Sequence, residues 1–119
     1  MKTNLYCNVL SDHMSRTLGL QHVHHLPWDQ GAWFVFNEPT ESGFWMKNTG
    51  IPLELLFLDN QYRIISIHHM KPHDKTIVKC DVPYKYALEV NPGWCDAYKL
   101  KSGDNLQDHV DLIFVTNNL

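Results

Sequence analysis

The sequence has no apolar run approaching the ~20 residues of a membrane-spanning helix. Its start, Met1-Lys2-Thr3-Asn4-Leu5-Tyr6, lacks the apolar core of a signal peptide. These absences predict a soluble, cytoplasmic chain that is not exported and has no membrane span. An excess of charge of either sign is missing too, with a formal net charge of −3. There is therefore no general positive field to hold a nucleic acid or an anionic membrane. Cysteine is scarce. Cys7, Cys80 and Cys95 are odd in number and match no zinc-knuckle spacing, so at least one thiol is free in the monomer, which suits a reducing compartment. Repeats, linkers and low-complexity segments are absent, and so are helical patterns long enough to carry parallel crossovers.

What is present is material for one domain over residues 1–119, with 44% of residues hydrophobic. A chain of this length buries roughly two-thirds of its unfolded surface, so no disulfide staple is required. Asn4 to Leu10 alternates as a first strand. Ser11 can cap a short helix over Asp12 to Leu20, with Met14 and Leu18 on one face and Gly19 as the stop. Gln21 to Gly31 reads as a loop, Ala32 to Phe36 as a strand, and Glu38 to Gly43 as a turn. Tyr62 to His68 returns after a hairpin turn at Asp59-Asn60-Gln61, Asn tolerating positive φ there. Lys71 to Tyr84 is the longest loop, Tyr86 to Asn91 a strand, Trp94 to Leu100 one or two helical turns pairing Trp94 with Tyr98, and Leu106 to Phe114 the last strand. Short strands with one or two short helices predict a mainly β fold, a compact antiparallel sandwich of jelly-roll character or a flattened barrel.

The longest apolar stretch runs from Gly43 to Asp59, interrupted by Lys47, Asn48 and Thr49. Read as two strands joined at Asn48 to Pro52, it puts Trp45, Lys47 and Thr49 on one face and Phe44, Met46 and Asn48 on the other. Leu53 to Leu58 is apolar on both faces apart from Glu54, as a strand covered on both sides would be.

Phe44-Trp45-Met46-Lys47-Asn48-Thr49, followed by Ile51 to Asp59, resembles a bacterial and archaeal family known as domain of unknown function 192. Arg16, Gly19 and Leu20 resemble its helix signature, Gly31 with Phe34 to Phe36 its second strand, and Tyr86 to Asn91 with Gly93 and Gly103-Asp104 its C-terminal half. The resemblance covers about Leu5 to Val110 and implies a compact β domain of sandwich or jelly-roll character. It implies no activity, substrate or cofactor. The chain departs from the family pattern at Val23, where an arginine is common, and in lacking the signal peptide many members carry.

Lys47, Trp45, Asn48 and Thr49, with Arg16 and Glu89, form the candidate site. Two cations, an amide and a hydroxyl suit a carboxylate, phosphate or sugar hydroxyls, and an indole can stack on an apolar ring. The plainer reading has Lys47 laid along Trp45, Asn48 and Thr49 holding the turn before Pro52, and Arg16 paired with Glu89. Eight histidines are many for this length. His22 and His24 would share a face of a strand, and His68 or His73 can complete a three-nitrogen set, yet the spacing matches no metal signature. No metal and no cofactor is therefore expected. Cys95 becomes a nucleophile only at a helix N-terminus with a histidine as base, and otherwise packs as a small apolar group; Cys80 reads as a bystander on an exposed loop. Glu54 with Asp59, and Glu38 with Glu41, offer carboxylates without a readable distance, and Trp28 in a polar loop is a candidate contact for a partner or sugar.

These features point first to a non-catalytic binding module for a small anionic or carbohydrate ligand. The alternatives are a structural protein contributing its surface to a larger assembly such as a virus particle, and an enzyme using Lys47, Arg16 or a histidine metal site.

Overall fold

A computed structural model describes residues 2–115. Alternation along the first segment builds β1 (Thr3–Leu10), with Leu5 and Cys7 buried on one face and Leu10 on the other. It is followed by α1 (His13–Leu18), β2 (Gln30–Thr40), β3 (Leu53–Leu58), β4 (Ile64–Met70), β5 (Tyr84–Val90), α2 (Trp94–Ala97), a 3-10 turn (Leu106–Asp108) and β6 (Val110–Val115). The fold is mainly β, as expected. Its strands form one six-stranded sheet in the order β4-β3-β5-β2-β1-β6.

The antiparallel expectation needs correction. β3 pairs antiparallel with β4 and β5, and β2 with β5, but β1 lies parallel to both β2 and β6. A parallel pair needs only a crossover of a dozen or more residues, and it need not be a long helix. Residues 11–29, carrying the six-residue α1, supply the first crossover. The sheet is open, with β4 and β6 at its edges, so the flattened barrel is not formed.

Each face of the sheet carries a core. On one, Trp33, Leu56, Leu88 and Val90 pack against Trp94, Cys95 and Leu106 from the segment between β5 and β6. On the other, Phe34, Leu55, Phe57, Tyr84 and Ala87 pack beneath Leu20, Leu26, Met46 and Cys80 from the loops. All six residues of β3 are buried, which explains why its sequence lacks alternation. Gly31 lets β2 approach β5: a Cβ there would lie 2.8 Å from Leu88 Cδ1 and 3.1 Å from the Glu89 carbonyl oxygen.

Three local expectations change. The stretch Gly43 to Thr49 is not a strand; Phe44 makes an isolated bridge to Val78 and the chain then turns, the Thr49 amide donating to the Met46 carbonyl (3.1 Å) with Asn48 at φ +56°. The cap of α1 is Asp12, which accepts from the Ser15 amide at 2.7 Å, rather than Ser11. Met14 and Leu18 face solvent, so the helix buries no residue. At the β3–β4 hairpin the left-handed residue is Tyr62, because the Asp59 carboxylate accepts from the amides of Gln61 and Arg63 and shapes the turn from its start.

Candidate functional site

The turn after Met46 is pinned from two sides. The His22 amide donates to the Asn48 carbonyl and the His73 amide to the Thr49 carbonyl, each at 2.9 Å. His22, Asn48 and His73 all adopt positive φ there, an uncommon conformation for non-glycine residues that only a well-packed junction sustains. The result buries Thr49, whose hydroxyl donates to the Lys47 carbonyl, and leaves Trp45 41% exposed. Lys47 Nζ stands 5.3 Å from the Trp45 ring centre.

Beside this turn lies a cavity of about 540 Å³. Arg16 of α1, Trp45, Thr49 and Glu89 of β5 all line it, so four of the six residues singled out from sequence converge. Lys47 and Asn48 are not among its lining residues; Lys47 lies on the indole and Asn48 holds the turn. Arg16 Nη1 donates to the carbonyls of Ser11 (2.5 Å) and Val35 (3.1 Å), and its guanidinium carbon sits 5.0 Å above the Phe36 ring. Arg16 and Glu89 do not form the ion pair envisaged from sequence, among the described residues.

Sequence reasoning missed the aromatic wall. Phe34, Phe36 and Phe44 line the cavity, with Phe34 and Phe44 edge to face at 4.9 Å and Phe36 and Tyr84 at 5.5 Å. The signal was the unbroken apolar run Ala32 to Phe36, whose even-numbered aromatics Phe34 and Phe36 share one face of the strand; the strand itself continues past Phe36 to Thr40 and so brings Glu38 to the cavity.

Glu89 is the distinctive group. It is only 4% exposed, flanked across the sheet by Ala32 and Leu55, and its carboxyl makes no hydrogen bond or ion pair among the described residues. No fully enclosed side-chain oxygen lacks a partner among those residues, so the carboxyl must open into the cavity. Burial raises its pKa to about 8. Near neutrality it is a protonated acid able to donate as well as accept.

Glu54 on the opposite face is a contrasting buried carboxylate. Its oxygens accept from the amides of Gly93 (2.7 Å) and Cys95 (3.1 Å), and His69 Nδ1 lies 3.3 Å away. It anchors the start of α2. Cys95 consequently fails as a nucleophile: it is buried, and burial, with the Glu54 carboxylate beside it, pushes its thiol far above the usual range. Cys80 is buried too, rather than on an exposed loop.

No group of three histidine, cysteine, aspartate or glutamate side chains close enough to hold a metal occurs among the described residues. His22 and His24 are exposed on their loop, while His68 sits on β4, its Nε2 2.9 Å from Ser66 Oγ and its pKa lowered chiefly by burial. Trp28 is 45% exposed and donates to the Tyr98 hydroxyl. No helix among the described residues is long and apolar enough to cross a membrane.

Residues 2–107 match the family DUF192, described as "Uncharacterized ACR". A crystal structure from Sinorhizobium meliloti, provisionally described as a transcription regulator, is similar at 32% identity and a TM-score of 0.81, over 83% of this chain and 78% of that one. A protein of unknown function from Novosphingobium aromaticivorans is similar at 29% identity and a TM-score of 0.79, over 83% and 71% respectively. No curated protein matches.

Proposed function

The chain belongs to that uncharacterised family, and on this premise we propose that it is a non-catalytic binding module whose cavity takes a small hydroxyl-rich ligand of carbohydrate type. The observation that carries this reading is the Glu89 carboxyl, buried, without a partner among the described residues and open to a cavity walled by aromatic rings. The volume, about 540 Å³, falls in the range of roughly 300–1,000 Å³ usual for small-molecule sites. Thr49 and Glu89 supply directional hydrogen bonds, and the exposed indole of Trp45 supplies a flat apolar face for a sugar ring.

An anionic ligand fits less well. Lys47 does not reach the cavity lining, Arg16 spends donors on backbone carbonyls, and Glu38 and Glu89 both line the space. A nucleic acid is disfavoured by the net charge of −3. A thermal-shift panel of sugars, anions and nucleotides tests the reading: a sugar at 100 times its Kd stabilises by about 2.7 kcal/mol. Stabilisation by sugars that is lost in Trp45→Ala supports it; stabilisation by anions alone refutes it.

A further inference from the structure

We propose that the ligand of this cavity carries a primary ammonium group that docks on Glu89, making an amino sugar its preferred class. The inference rests on the carbohydrate reading above and narrows it. A neutral hydroxyl is satisfied by many buried amides or hydroxyls, and needs no carboxyl at the floor of the site. A carboxyl on a central strand, 4% exposed and without a partner among the described residues, is costly to keep there unless something complementary meets it. An ammonium meets it with a charge-assisted hydrogen bond, and the aromatic lining that includes Trp45 and Phe44 suits a cation as well as a sugar.

The remaining charged groups of the cavity are consistent with this. From α1 they are His13 and Arg16, from β2 Glu38, and from β5 Glu89 itself; the turn at Asn48 adds none. Arg16 is the one fixed cation. It is tied to the carbonyls of Ser11 and Val35 and stacked on Phe36, so it leaves Glu89 free for a cation from outside. Glu38 adds an exposed carboxylate to the same wall. Because burial holds the Glu89 proton to about pH 8, docking of an ammonium converts the neutral acid to a carboxylate and releases that proton to solvent.

The test is calorimetric titration of the full chain with glucosamine, glucose, N-acetylglucosamine and ethanolamine, in two buffers of different ionisation enthalpy at pH 7. Glucosamine is expected to bind roughly 10- to 100-fold more tightly than glucose, the range set by one charge-assisted hydrogen bond, with a proton released on binding. Glu89→Gln is expected to erase that preference. Equal affinity for glucose and glucosamine overturns the inference and leaves the carbohydrate reading intact. Glu89-dependent binding of ethanolamine without binding of any sugar supports the ammonium contact and overturns the carbohydrate reading. Binding of none of the four overturns both. Should Glu89→Gln fold poorly, the ¹³C shift of the Glu89 carboxyl in the unmodified protein decides the matter: glucosamine must move it to its ionised value at pH 7, and no movement refutes the contact.

Discussion

Glu54 and Glu89 stand on neighbouring strands one residue out of step, Glu54 beside Val90 and Glu89 beside Leu55, so that two buried carboxyls face opposite sides of the same sheet. One accepts from two backbone amides, and the other has no partner among the described residues. Their substitutions should therefore act in opposite directions.

Glu54→Ala removes the acceptor of the Gly93 and Cys95 amides. Leaving buried donors unmatched is expected to cost about 2–4 kcal/mol, read as a lower urea midpoint with an unchanged slope. A midpoint within error of the parent would show that the α2 anchor is dispensable.

Glu89 gives a pH dependence of definite sign. Its folded pKa, about 8, lies above the ordinary glutamate value of 4.5. Between those values the folded state holds a proton that the unfolded state has lost, so this contribution to stability falls as pH rises from about 4.5 to 8. The shift corresponds to an upper bound of about 5 kcal/mol. Glu89→Gln should be near neutral at pH 5 and stabilising at pH 8, measured by urea unfolding of both proteins across that window. A difference that does not change with pH would contradict the buried, unpartnered state of the carboxyl.

How much of this could be read from the residues differs by level. The alternation of Asn4 to Leu10 and the two-sided apolar run of Leu53 to Leu58 announced β1 and β3, because burial on one or both faces is written directly into hydrophobic period. Parallel pairing of β1 was not legible, since it depends on where a loop carries the chain between residues 11 and 29. Arg16, Trp45, Thr49 and Glu89 were grouped with Lys47 and Asn48 on the chemistry of their side chains, and those four line one cavity. That Lys47 and Asn48 lie outside its lining was not legible, because a turn with Asn48 at positive φ replaces the strand alternation that had put Lys47 on one face with Trp45 and Thr49.

Gly31→Ala tests the close approach of β2 and β5. A methyl group there meets Leu88 and the Glu89 carbonyl, and overpacking of this kind costs about 1–3 kcal/mol. Thermal unfolding should register the loss, and a variant as stable as the parent would show that β5 moves aside without penalty.

The thiols should be slow. Cys7 is buried with its pKa raised to about 12, and Cys80 and Cys95 are buried as well. In the folded protein at pH 7.5 none of the three should react rapidly with a disulfide reagent, whereas all three react in guanidinium. One equivalent reacting at once in native buffer would contradict the packing.

Among the site residues, Trp45→Ala should weaken sugar binding by roughly 10-fold, as loss of an aromatic contact worth about 1–1.5 kcal/mol implies. Lys47→Ala should change it little, since its ammonium lies on the indole and outside the cavity lining. Comparative titrations of the two variants check the pair, and a larger loss from Lys47→Ala would restore the lysine to the site.

The central claim is that the cavity beside Glu89 binds a small hydroxyl-rich ligand, and the most direct measurement is a ¹H–¹⁵N NMR titration of the labelled protein with glucosamine and glucose. Shifts concentrated at the Trp45 indole and the amides of Arg16, Thr49 and Glu89, with Tyr98 and His109 at the far surface unchanged, are the predicted result. Spectra that do not move, or that move around Tyr98 and His109 instead, would contradict it.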